Sequence, residues 1–153
     1  PLINRWAPNV AGQRVPRKAC SPARYTLLDL LGGVPGTSAD QLIRLGVPLS
    51  ALDRLSQHGV NPTDIGIISQ RALGKRFSQG KPLTLNEGDH LYRVGRIIVL
   101  AEATFFSQRK ALLWLKRPRR ALGRRSALQA AYTTPGLLAA EDLLLQLQHG
   151  FAA

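Results

Sequence analysis

A single cysteine, Cys20, occurs in this chain of 153 residues, so no intrachain disulfide and no thiolate metal cluster can form, a composition that suits a reducing cytoplasm. Long apolar runs are lacking too: Arg93 and Arg96 interrupt the best one, around residues 97–103, well short of the roughly 18 residues of a membrane span. The period-two alternation of half-buried strands is sparse throughout, which leaves an all-α chain with any strand confined to a short segment. Acidic side chains are scarce, nine Asp and Glu against 21 Lys and Arg, and the net charge of +12 favours an anionic partner. Nucleic acid is the commonest such partner, with an acidic protein or plain solubility as the alternatives. Methionine is absent and the chain begins at Pro1, so a processed or missing start stays open.

What is present begins with a basic arm, residues 1–24. Its cations Arg5, Arg14, Arg17, Lys18 and Arg24 have no acidic neighbour, and Pro8, Pro16 and Pro22 punctuate it. An extended arm of this kind suits a phosphate backbone and plain solvent equally, and it has no apolar centre like that of a signal peptide. Residues 25–31 form a short apolar helix that Gly32-Gly33 ends, followed by a turn at Pro35-Gly36. Thr37 or Ser38 caps a helix through Leu45 that Gly46 stops, and Pro48 with Ser50 starts another through Ala51, Leu52 and Leu55 to Gly59. Asn61-Pro62-Thr63-Asp64 is a third start signal, with an Asn cap, a proline in the first turn and a carboxylate at the positive end of the dipole.

A fourth helix opens near Ser69. Ala72, Leu73 and Phe77 share its inward face, while Ser69, Gln70, Arg71, Lys75 and Arg76 make a surface without a carboxylate. Arg pairs with guanine, Gln with adenine and Lys with phosphate, so this is a candidate recognition helix within a helical, helix-turn-helix-like region, residues 25–82. The solvated face of an ordinary basic protein has the same composition.

Farther along, Thr84 and Glu87 form a capping box, and Leu91, Val94, Ile98, Ala101 and Phe105 follow at helical spacing. Gly95 weakens that helix by roughly 1 kcal/mol relative to Ala and suits the close approach of a neighbour. Residues 108–115 form the next helix, ended by Pro118, with Trp114 on the same inward face as Ala111 and Leu115. Lys116, Arg117, Arg119, Arg120, Arg124 and Arg125 then make a dense positive loop. The last helix spans residues 137–147, carries Glu141 and Asp142 where they favour its dipole, and stops at Gly150.

No catalytic set emerges. His58, His90 and His149 are far apart and in no metal-ligand spacing, and no glycine-rich loop precedes Lys-Ser or Lys-Thr. Glu87 and Asp89 sit at a helix start, where capping and dipole stabilisation are their expected work. His90 has no nucleophile nearby and is expected as an exposed imidazole. Neither enzymatic activity nor a cofactor is expected.

The order Leu83-Thr84, Glu87, Leu91-Tyr92-Arg93, Leu100-Ala101-Glu102-Ala103 and Phe105, then Ala111, Trp114-Leu115 and Pro118, resembles the Xre/MbcA/ParS toxin-binding domain of Xre-type antitoxins. The likeness continues through Leu122-Gly123, Thr134, Gly136, Leu144, Leu147, His149 and Gly150, and places that domain over residues 83–153. Departures are Ser107 for a glycine, Arg119 for an asparagine and Ala127 for a proline. The resemblance implies an inhibitor whose partner is a RES-domain toxin, an ADP-ribosyltransferase-like enzyme that depletes NAD or modifies proteins. It implies toxin contact at Trp114, Leu115, Pro118, Gly123, Leu144, Leu147, His149, Gly150 and Phe151. It also implies a homodimer or a higher hetero-oligomer with the toxin, and binding to promoter DNA through a helix pair between Asn61 and Phe77. The competing readings are a stand-alone DNA-binding regulator and an RNA-binding protein using the arm and the positive loop.

Overall fold

A computed structural model describes residues 30–31 and 38–150. The basic arm, most of the helix expected from residue 25, its Gly32-Gly33 stop, the Pro35-Gly36 turn and the final Phe151 lie outside the described residues. The described chain is all-helical: α1 (Ala39–Leu45), α2 (Ser50–Gln57), α3 (Gln70–Gln79), α4 (Leu85–Phe105), α5 (Gln108–Lys116), α6 (Ala127–Ala130) and α7 (Thr134–Gln148). Its β structure among those residues is one isolated antiparallel pair, Arg119 with Arg125.

Local chemistry sets most helix ends. Ser38 caps α1 through the Gln41 N–H at 3.3 Å, and Ser69 caps α3 through the Ala72 N–H at 3.2 Å. The Thr84–Glu87 capping box is present in both directions, with the Thr84 N–H donating to Glu87 at 2.8 Å. A second box, Ser126 with Gln129, opens α6. Thr133 caps α7 and Pro135 lies in its first turn, so the final helix begins earlier than its apolar run suggests.

The 21-residue α4 is the axis of the molecule, and α1, α5, α6 and α7 all pack on it. Gly88 lets α1 come close, with Val47 and Ile43 side chains 3.2 and 3.5 Å from where a Cβ would stand. One apolar cluster runs from Leu31 through Leu55, Leu91 and Ile98 to Leu144, so it takes residues from both sides of residue 83. Polar ties cross the same helix: Arg96 pairs with Glu141 of α7, and Arg93 donates to the carbonyls of Ala131 and Tyr132, each at 3.0 Å. Buried His58 and Glu102 meet at 2.5 Å and tie the end of α2 to α4. Glu141 thus serves an interhelix ion pair, besides its place near the α7 dipole.

Three sequence expectations are corrected. Asn61-Pro62-Thr63 does not start a helix: Asn61 Oδ1 accepts from the Thr63 N–H at 3.2 Å, the chain turns through Gly66 (φ +79°), and Ile67 and Ile68 drop into the core. Phe77 is 79 % exposed, because α3 rests on the body through only partly buried Ala72, Leu73 and Arg76. His90 is 4 % exposed, its ring edge-on to Tyr132 at 5.0 Å, because α4 is covered on several sides.

Candidate functional site

The carboxy-terminal end of α5, the loop that follows and one face of α7 enclose a groove of about 550 Å³. Trp114, Pro118, Leu143 and Leu147 give it apolar surface, and Arg117, Arg119 and Arg120 give it charge. The loop is folded back by its own backbone: the Arg119 N–H donates to Arg125 O at 3.0 Å, and the Arg124 N–H returns to Arg119 O at 2.9 Å. Gly123 and Arg124, both left-handed at φ +64° and +62°, reverse the chain. Residues 116–125 hold six cations and no carboxylate, and three of them, Arg117, Arg119 and Arg120, line the groove beside Trp114.

Trp114 is 7 % exposed and packs near Phe105, ring centres 6.1 Å apart. The Arg119 guanidinium lies over its ring at 4.5 Å, a cation–π arrangement. Burial, and next the neighbouring charge of Arg117, push the Arg119 pKa down. Trp114 Nε1 and Arg119 Nε are buried donors with no hydrogen-bond partner among the described residues.

The structure thus gathers Trp114, Pro118 and Leu147 into one site and adds Leu143 and Gln146, which sequence reasoning missed. The spacing of Leu143 and Leu147, one helical turn apart, carried the signal. Leu115 and Leu144 are corrections, since both are wholly buried in the shared core and present no surface to a partner. Gly123 belongs to a second depression of about 790 Å³, with Leu122, Tyr132 and Pro135. His149 and Gly150 (φ +73°) are exposed at the end of α7, and Phe151 lies outside the described residues.

On α3, Gln70, Arg71 and Lys75 are exposed, and Ser69 serves as the helix cap. Arg76 is a further correction, because it is engaged with Glu87 and donates to Pro82 O at 3.3 Å. The expected helix pair between Asn61 and Phe77 is also absent, since turn residues occupy the place of its first helix. Among the described residues no three His, Cys, Asp or Glu side chains cluster, and no helix is long and apolar enough to cross a membrane.

Residues 100–150 match the family model described as the Antitoxin Xre/MbcA/ParS C-terminal toxin-binding domain. A curated relative, "Antitoxin Xre" of Pseudomonas putida, is 33 % identical over 108 residues, which span 69 % of this chain and 68 % of that protein. The chain belongs to the Xre family of antitoxins. In this Xre-family chain every groove residue falls inside the matched stretch, whereas α1, α2 and α3 precede it.

Proposed function

We propose that this Xre-family chain neutralises a cognate RES-type toxin by binding it through the groove between α5 and α7 and through the adjoining tail from His149. The observation that carries this reading is the groove's position within the stretch that matches a toxin-binding domain. Apolar anchors supply affinity and the surrounding arginines steer association, the division of labour common at protein interfaces. The RES class, which consumes NAD or modifies proteins, is the partner that the family resemblance implies. A homodimer or a higher hetero-oligomer with the toxin, and a cytoplasmic setting, belong to the same reading. Deleting the residues after Gly150 weakens inhibition on this view, measured as toxin activity in a purified complex. Full inhibition by the truncated chain would remove the tail from the account.

A second activity is carried by α3, where Gln70, Arg71 and Lys75 form an exposed cationic face. On this reading the chain also binds promoter DNA, using a single presented helix in place of a complete helix-turn-helix. Arg71→Ala with Lys75→Ala lowers DNA affinity and leaves toxin neutralisation intact. Loss of DNA binding as the sole phenotype of the whole chain, with no toxin found, would favour a stand-alone regulator.

A further inference from the structure

Trp114 Nε1 and Arg119 Nε are both donors, both buried, and both lack an acceptor among the described residues. They are neighbours, since the Arg119 guanidinium carbon stands 4.5 Å from the centre of the Trp114 ring, and both side chains line the groove. A buried donor without an acceptor is unfavourable, more so when charged, so the site favours a ligand that brings acceptor oxygens. The groove lining supplies no negative charge: it holds Arg117, Arg119 and Arg120 and no carboxylate. Burial, and next the charge of Arg117, push the Arg119 pKa down, and an incoming carboxylate offsets that shift by favouring the charged guanidinium.

The other half of the groove excludes a purely ionic ligand. Pro118, Leu143 and Leu147 offer apolar surface beside the guanidinium groups. Nucleic acid fits poorly, because a phosphate backbone would engage the arginines alone and leave the apolar wall of Pro118, Leu143 and Leu147 uncovered. We propose that this groove takes an acidic amphipathic segment of the partner protein, its apolar side chains on Trp114, Pro118, Leu143 and Leu147, and one carboxylate accepting from Arg119 Nε and Trp114 Nε1. The inference rests on the reading that this face meets the toxin and names the chemistry the toxin presents there. Both donor atoms are closed to solvent, so the carboxylate reaches them as Arg119 lifts off the indole. The Trp114 indole N–H therefore reports the event.

The test is a titration of the ¹⁵N-labelled full chain with a helical peptide of Glu, Leu and Ala, with its Lys-for-Glu counterpart, and with a random-sequence DNA duplex. The Trp114 indole signal is assigned with Trp6→Phe. The acidic peptide shifts that signal saturably, Arg119→Ala weakens the peptide by about tenfold or more, and Arg124→Gln, on the same loop but outside the groove, changes it by less than about twofold. The Lys peptide leaves the signal in place. An equal response to both peptides, a response to DNA alone, or none to any probe overturns the inference. Growth rescue against the product of the adjacent gene reads the antitoxin role separately: rescue together with a groove indifferent to acidic peptide defeats this inference alone.

Discussion

Two glycines inside helices should respond to the same substitution with opposite sign. Gly74 sits mid-helix in α3 with nothing within 4 Å of where a Cβ would stand, so Gly74→Ala gains the ordinary helix propensity, about 1 kcal/mol. Gly136 is the third residue of α7, its N–H donating to Thr133 Oγ1 at 3.2 Å. A Cβ there would overlap the Ala130 carbonyl, 2.8 Å from its carbon, with Thr133 Oγ1 at 3.1 Å. The obstacle is backbone at the end of α6 and cannot turn aside as a flexible side chain would. Overpacking of this kind costs about 1–3 kcal/mol, occasionally more, and outweighs the propensity gain. Urea unfolding measures both: with a slope of about 1–3 kcal/mol/M, the Gly136→Ala midpoint falls by roughly 0.5–1 M and that of Gly74→Ala rises by a few tenths. A Gly136→Ala protein as stable as Gly74→Ala would refute the close approach of α6 to α7.

Leu144→Ala empties a fully buried position and should destabilise by about 2–5 kcal/mol, whereas Leu147→Ala, on the groove wall, should cost under about 1 kcal/mol yet weaken toxin binding; thermal unfolding and affinity measured side by side distinguish them. Burial, followed by the charge of Arg93, holds the His90 pKa below its ordinary value of about 6.5, with Asp89 opposing. The unfolded chain therefore takes up this proton more readily, so the stability that neutral His90 contributes is complete above about pH 6.5 and declines as the pH falls from there towards the lowered folded pKa. Urea midpoints between pH 7.5 and 5 should decline less steeply in His90→Gln, and parallel curves would contradict the assignment.

Cap chemistry is the most legible part of the fold. Thr84 with Glu87, Ser38 with the Gln41 N–H, and Ser69 with the Ala72 N–H each act across three residues, a distance short enough for the local sequence to carry the signal. Asn61-Pro62 carries the same vocabulary, but Gly66 follows too soon for a helix, and Ile67 with Ile68 gains more by burial. His90 reads as a surface residue when one apolar stripe is assigned to α4, whereas a central helix is covered from several directions. At the site, family landmarks mix two kinds of residue. Leu115 and Leu144 hold the core, and Trp114, Pro118 and Leu147 border the groove, a distinction that depends on how α5 and α7 are rotated against α4. The stacking of Arg119 on Trp114 joins residues five apart across a proline-broken helix end, which no helical periodicity encodes.

Growth of cells expressing the product of the adjacent gene, alone and with this chain, tests the central claim most directly when cellular NAD is recorded in the same cultures. The account predicts arrest with NAD loss in unprotected cells, relief by the native chain, and weaker relief by the Leu143→Ala, Leu147→Ala double variant, whose side chains line the groove. Arrest that the native chain fails to relieve would contradict the antitoxin reading, and full relief by the double variant would place the toxin contact elsewhere on the molecule.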